Sequence, residues 1–142
     1  MGRVRLPKAF GHPVRVINDA AMQALGSYKG GRMLFLGLGT GLGSALIVDG
    51  VLEPMELAHL PFEKGNTYED LVGKAALKRF GKKKWRRKVA DVVTRLQAAL
   101  EADDVVIGGG DAKLLHTLPK GVRLGSNAEA FVGGYCLWKS RD

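Results

Sequence analysis

The chain has 142 residues, 46% of them apolar, 25% charged and 7% aromatic, a globular composition that excludes wholesale disorder. No run approaches the roughly 20 apolar residues of a membrane helix, the opening MGRVRLPKAF lacks an apolar signal core, and a single cysteine, Cys136, excludes an internal disulfide and a cysteine-built zinc site within one chain. A reducing cytoplasm is the expected location. The net charge of +8 is concentrated: nine bases and no acid lie between Lys74 and Lys88, while acids outnumber bases by one elsewhere.

In chain order, residues 1–13 read as a loose basic lead-in and residues 14–142 as one mixed α/β domain. Val14 to Ile17 is a predicted strand. Asn18-Asp19 ends it, and residues 20–28 read as a short helix that Asp19 can N-cap, stopped at Gly30-Gly31. Residues 33–36 form a buried strand, residues 37–43 a glycine loop, and residues 45–48 a second strand. Asp49-Gly50 is a two-residue hairpin signal, returning the chain as a third strand over 51–57, with Pro54 marking an edge or bulge. Residues 59–66 read as loop and 68–80 as helix. Residues 85–102 form a long amphipathic helix with Val89, Val92, Val93, Leu96 and Leu100 on one face. A strand over 104–107 runs into Gly108-Gly109-Gly110. A helix over 112–118, a short strand over 122–124 and a closing helix over 128–138 complete the pattern.

Four features carry chemistry. Gly37, Gly39, Gly41 and Gly43 alternate, so backbone N–H groups can approach an anion. The third glycine of a dinucleotide fingerprint is missing, with Ser44 a loose substitute. The segment after the loop reads as a hairpin and not as the helix that fingerprint requires, and no Gly-Lys-Ser/Thr occurs. What remains is a strand, a Gly-Thr-Gly loop and a strand that wraps phosphate, with Thr40 adding a hydroxyl; a ligand-free tight turn is the plain alternative. Asp19, just past a strand, sits where α/β sheets bind ligands. It either caps a helix or takes a proton from a hydroxyl nucleophile, with Asn18 fixing a neighbouring hydroxyl. Glu56 and His59, at a strand exit, either read hydroxyls or form a surface ion pair. The basic window, with Lys82, Lys83, Lys84, Arg86, Arg87 and Lys88 at its centre, is either a solvated face or a polyanion patch. Trp85 is its one interleaved ring near the centre, too few for a single-strand nucleic-acid platform. His12 and His116 have no evident partners.

The combination is more specific than its parts. VINDAAMQALGSY, LFLGLGTGLGSALIVDGVLEPMELAHLPF, TYEDLVG and VVIGGGDAKLL together resemble the ROK (repressor, open reading frame, kinase) family of sugar kinases, and within it the bacterial polyphosphate glucokinases. The resemblance runs from about residue 14 to residue 138 and matches only the C-terminal part of such an enzyme. It implies the C-terminal half of an actin-like ATPase (ribonuclease H-like) fold, a central mixed sheet flanked by helices.

The resemblance also implies roles. Asp19 becomes the general base for the 6-hydroxyl of glucose, and Asn18, Glu56, His59 and Glu69 bind the sugar, with Ala58 in place of a usual glycine. Gly39, Thr40, Gly41 and Gly43 form a phosphate loop, and Gly108, Gly109 and Gly110 the loop at the far end of the donor, where Asp111 replaces a common asparagine. The donor is polyphosphate or ATP with Mg2+; mannose is not separated from glucose as acceptor. Residues 61–66 hold no cysteine where the family carries a zinc motif, so no zinc is expected. The Asp-x-Gly-Gly-Thr loop that opens these kinases is absent from this sequence. A homodimer or pairing with a missing N-terminal half is therefore expected, with Phe131, Tyr135, Leu137 and Trp138 as apolar surface for it, and turnover by the isolated chain is expected to be very low or absent. The alternatives are a non-catalytic sugar- or polyphosphate-binding domain derived from such a kinase and, with less support, a basic nucleic-acid-binding module.

Overall fold

The computed structural model describes residues 19–125. The expected strand over 14–17, Asn18, Cys136 and the expected closing helix with Phe131, Tyr135, Leu137 and Trp138 lie outside the described residues.

Helix α1 (Asp19–Ser27) is followed by strands β1 (Arg32–Leu38), β2 (Leu42–Val48) and β3 (Val51–Pro54), then by a small ribbon of β4 (Pro61–Glu63) and β5 (Asn66–Thr67). Helices α2 (Tyr68–Val72), α3 (Lys74–Phe80) and α4 (Lys82–Ala99), strand β6 (Asp104–Gly108), a 3-10 turn (Ala112–Leu114) and strand β7 (Val122–Leu124) complete the order. The five-stranded sheet runs β3-β2-β1-β6-β7. β1 pairs antiparallel with β2 and parallel with β6, and β6 pairs parallel with β7. It is thus the expected mixed sheet with helices on its faces.

The side-chain period of two sorts the core into two layers. From β1, Leu34, Leu36 and Leu38 join Leu42 and Leu46 of β2 and Val105 and Ile107 of β6 against α4, which contributes Trp85, Val89, Val92, Val93 and Leu96. Met33, Phe35, Ala45, Ile47 and Val106 take the opposite face and pack on Ala20, Ala21 and Ala24 of α1. The small residues of α1 let that helix lie close to the sheet, which brings its first turn to the carboxyl ends of β1 and β6. Arg123 of β7 pairs with the Asp104 carboxylate through two guanidinium nitrogens and also donates to the Ser27 carbonyl, tying the end of α1 to the sheet. Among the described residues no helix is long and apolar enough to cross a membrane.

Several boundaries differ from the sequence reading. The glycine loop is shorter than 37–43: Gly37 pairs with Gly43 and Leu38 with Leu42 in the ladder, because both leucines are buried and hold the strands together, leaving residues 39–41 as the turn. The third strand stops at Pro54. There the Ser44 hydroxyl takes over, donating to the Met55 carbonyl at 2.9 Å and accepting from the Leu57 amide at 3.3 Å. The loop over 59–66 contains a hairpin, since Lys64 (φ 49°) and Gly65 (φ 78°) supply the two left-handed residues of a tight turn. The helix over 68–80 is broken at Gly73, whose extended backbone (φ −70°, ψ 174°) separates α2 from α3. The long helix starts earlier, at Lys82, and ends at Ala99. The helix expected over 112–118 is a single 3-10 turn. Arg86 captures the Leu114 carbonyl at 2.6 Å, Leu115 is extended, and Pro119 disfavours helix at the residue before it.

Candidate functional site

The ends of β1 and β6 face each other, Gly37 opposite Gly108 in register, so the two glycine segments leave the sheet side by side. A cavity of about 380 Å³ opens there, lined by Asp19, Ala20, Gln23, Phe35, residues 37–43, Glu69 and Gly109. A second, of about 310 Å³, shares Thr40 and Glu69 with it and continues over Asn66, Asp70, Gly73, Ala75, Ala76 and Arg79. Together they form one cleft divided by Thr40 and Glu69.

Asp19 lies in the first turn of α1 and is solvent-exposed. It was expected at the N-cap; within the first turn its charge still meets the positive end of the helix. Gln23, one helical turn on, lines the same cavity and was missed, although i and i+4 residues share a helix face.

The turn at residues 39–41 is braced from behind. The Lys74 amide, at the start of α3, donates to the Gly39 and Thr40 carbonyls at 3.0 and 3.3 Å. A Cβ on Gly73 would stand 3.0 Å from both the Thr40 and the Glu69 carbonyl oxygens, so the break between α2 and α3 is what lets the turn dock. The Gly39 amide closes the turn on the Gly41 carbonyl at 3.2 Å, so with its carbonyls occupied the turn has the Thr40 and Gly41 amides left for an anion. Thr40 is exposed, which leaves its hydroxyl accessible from the cleft. The Glu69 carboxylate lies beside Gly41, where a Cβ would come within 3.0 Å of it, and it accepts a long bond of 3.4 Å from the Leu42 amide.

Gly108 and Gly109 are required by packing. A Cβ on Gly108 would stand 2.6 Å from the Phe35 ring, and one on Gly109, whose φ is 90°, would overlap the Leu38 carbonyl oxygen. Gly110 faces open space. The Asp111 amide donates to Leu38 O at 3.2 Å, while its Oδ2 is buried without a hydrogen-bond partner among the described residues. Its position beside a glycine loop is legible in the sequence; its orphaned oxygen is not.

Glu56 and His59 are exposed, do not line the 380 Å³ cavity and form no ion pair with each other among the described residues. Their segment is nevertheless fastened to the helix that carries Glu69, because the Glu69 amide donates to Ala58 O and the Tyr68 amide to Leu60 O, both at 3.0 Å. A capping box starts that helix. Thr67 and Asp70 exchange side-chain-to-backbone bonds, and the Thr67 amide holds the Asp70 carboxyl below its ordinary value.

The basic window divides. Lys82, Lys83, Lys84 and Arg87 are exposed on the first turns of α4. Arg86 is spent partly on Leu114, and Lys88 pairs with Glu63 of β4 at 2.6 Å, an acid distant in sequence that lies beside the window in space. That lysine lowers the Glu63 pKa. Arg79 and Lys84 both lie over the Phe80 ring, 4.4 and 4.8 Å from its centre.

Solved structures share this architecture. An inorganic polyphosphate/ATP-glucomannokinase from Arthrobacter sp. strain KM matches with a TM-score of 0.77 and 28% identity over 96% of this chain and 61% of that one. A ROK family glucokinase from Streptomyces griseus, solved with glucose and AMPPNP, matches with a TM-score of 0.74 and 16% identity over 93% and 70% of the two chains. The fold is that of the ROK sugar kinases. A ROK family transcriptional regulator, a homolog of the E. coli MLC protein, has it too, with a TM-score of 0.74 and 15% identity over 95% of this chain and 54% of that one. The chain spans 61% of the glucomannokinase's length. No protein-family model and no curated protein matches the sequence.

Proposed function

We propose that this chain carries the acceptor and donor-phosphate side of a glucokinase that transfers a phosphoryl group from polyphosphate or ATP to the 6-hydroxyl of glucose. The observation that carries this reading is the convergence of Asp19, the braced turn at residues 39–41, Glu69 and Gly109 on one cavity. Asp19 takes the proton of the 6-hydroxyl as its oxygen attacks the terminal phosphorus, and the bond from that phosphorus to the rest of the donor breaks. The amides of Thr40 and Gly41 and the Thr40 hydroxyl, with Gly39, Gly43, Gly108, Gly109 and Gly110 around them, receive the phosphate oxygens. Glu69, with Glu56, His59 and Asn18, orients the sugar; Glu56 and His59 act from the segment fastened to the Glu69 helix.

Among the described residues no group of three or more His, Cys, Asp or Glu could hold a metal ion. Magnesium that arrives with a phosphoryl donor needs only one or two protein carboxylates, and Glu69, whose carboxylate lies beside Gly41 of the turn, is suited to that. When bound it neutralises charge on the donor's oxygens. The exposed Lys82, Lys83, Lys84 and Arg87 favour a polyphosphate chain as donor, and pairing with a second copy or a separate N-terminal half completes the site.

The test is glucose 6-phosphate formation by the full chain with magnesium and either donor, alone and with a complementing N-terminal half. Turnover lost in Asp19→Asn supports the reading, and turnover undiminished in Asp19→Asn overturns it. Absence of turnover with glucose binding retained supports the second reading, a sugar-binding domain, which the regulator of the same fold favours. For the basic face, Lys82→Glu/Lys83→Glu/Lys84→Glu should abolish polyphosphate binding, and survival of that binding at low salt refutes the polyphosphate assignment.

A further inference from the structure

A third cavity lies outside the cleft. It has a volume of about 520 Å³ and is lined by Arg86, Arg87, Ala90, His116, Thr117, Leu118 and Pro119. It shares no residue with the two cavities around Thr40 and Glu69. We propose that this cavity is an accessory site for an organic phosphate, a phosphate monoester carrying a planar or apolar body.

The lining argues for both halves of that ligand. Two guanidinium groups and an imidazole face the cavity, and no carboxylate lines it to neutralise them. Arg86 is held in place because its Nε donates to the Leu114 carbonyl at 2.6 Å. One of five guanidinium hydrogens is used in that bond, and those on the two Nη atoms remain for a ligand. Arg87 and His116 are exposed and form no ion pair among the described residues. A pair of guanidinium forks suits a phosphate. Ala90, Leu118 and Pro119 make the rest of the wall apolar. Against that wall a bare phosphate chain would lose hydration with nothing in return, whereas an attached ring or apolar body would gain from burial. The volume lies within the usual range for small-molecule pockets, about 300–1,000 Å³.

The site is connected to the cleft by short steps. Arg86 grips Leu114, the Leu114 amide donates to Asp111 O at 3.0 Å, and the Asp111 amide donates to Leu38 O at 3.2 Å. Leu38 lines the cleft. A ligand that orders Arg86 therefore stiffens the segment that follows the second glycine loop.

The test is calorimetric titration of the full chain at fixed ionic strength with AMP, ribose 5-phosphate and inorganic phosphate. AMP should bind at least about fivefold more tightly than inorganic phosphate, with ribose 5-phosphate between them. Arg87→Ala/His116→Ala, on exposed side chains that folding does not need, should weaken AMP by about tenfold or more, and Glu69→Gln in the cleft should leave it unchanged. Equal affinity for AMP and inorganic phosphate overturns the organic-body assignment. AMP affinity unchanged by the double variant, or weakened as much by Glu69→Gln, overturns the site. None of these readouts requires turnover, so their failure leaves the phosphoryl-transfer reading standing, and the reverse holds as well.

Discussion

Replacing Trp85 with phenylalanine removes one hydrogen-bond donor and part of one ring from the layer between α4 and the sheet. The indole is fully buried, and its Nε1 donates to the Val72 carbonyl at 2.9 Å. Val72 is the last residue of α2, so without that donor a buried carbonyl is orphaned at a helix end, costing about 1–3 kcal/mol. The smaller ring forfeits about another 1 kcal/mol of packing. The sum is roughly 2–4 kcal/mol, or a fall in Tm of about 8–15 °C for a chain of this size. The same carbonyl adjoins Gly73, which carries the break against which the 39–41 turn docks. Trp85→Phe should therefore weaken binding of the phosphate donor well below its Tm. Leu96→Ala, a core truncation farther along α4 with a similar expected cost, should spare that binding. Thermal unfolding followed by circular dichroism gives the stability, and tripolyphosphate titration gives the binding. A stability loss for Trp85→Phe under about 0.5 kcal/mol, or equal donor binding in the two variants, refutes the argument.

Gly109→Ala forces a Cβ onto Leu38 O at a φ of 90°; it should cost at least about 1–2 kcal/mol in urea unfolding and displace the loop enough to weaken donor binding. Asp111→Asn removes a negative charge beside that loop and replaces a carboxylate whose Oδ2 is buried without a partner; tripolyphosphate affinity should rise about two- to fivefold with no loss of Tm. Acid should loosen the β4-β5 corner first. Glu63 and Asp70 both have lowered pKa values, from ordinary values of 4.5 and 3.8, held down by Lys88 and Thr67. A depressed carboxyl contributes stability above its unfolded pKa and loses it as pH falls through the folded one. Protection factors against hydrogen exchange at the Thr67 and Asp70 amides should therefore fall below about pH 4, and unchanged protection there would count against the capping box.

What the sequence shows of this fold is what a short repeat can encode. The two-residue period of β1 and the 3.6-residue face of Val89, Val92, Val93 and Leu96 place both core layers. The Asp49-Gly50 turn is legible because two left-handed residues in a row demand such side chains. The misses are tertiary. Nothing local says that Lys88 will find Glu63, or that Arg86 will end a helix by seizing Leu114. Gly73 looks like a tolerated helical glycine until Thr40 and Glu69 are seen crowding it. For the same reason the charged window read as uniform from Lys74 to Lys88, although only part of it faces solvent unpaired.

A kinase and a transcriptional regulator share this backbone, so the fold alone cannot carry catalysis, and the weight falls on individual atoms. A binding domain needs hydroxyl-reading groups and would have no use for the proposed base beside the proposed phosphate turn. Here the Asp19 carboxylate lines the same cavity as the 39–41 turn. Packing does not require that placement, because the residue is exposed while Ala20, Ala21 and Ala24 do the packing. An exposed acid placed where donor phosphates would dock repels them, a cost that the proposed uptake of a proton during transfer would recover. The sign of one substitution follows. Asp19→Asn should tighten tripolyphosphate binding while abolishing phosphoryl transfer, whereas in a pure binding domain it would tighten the anion and change nothing else.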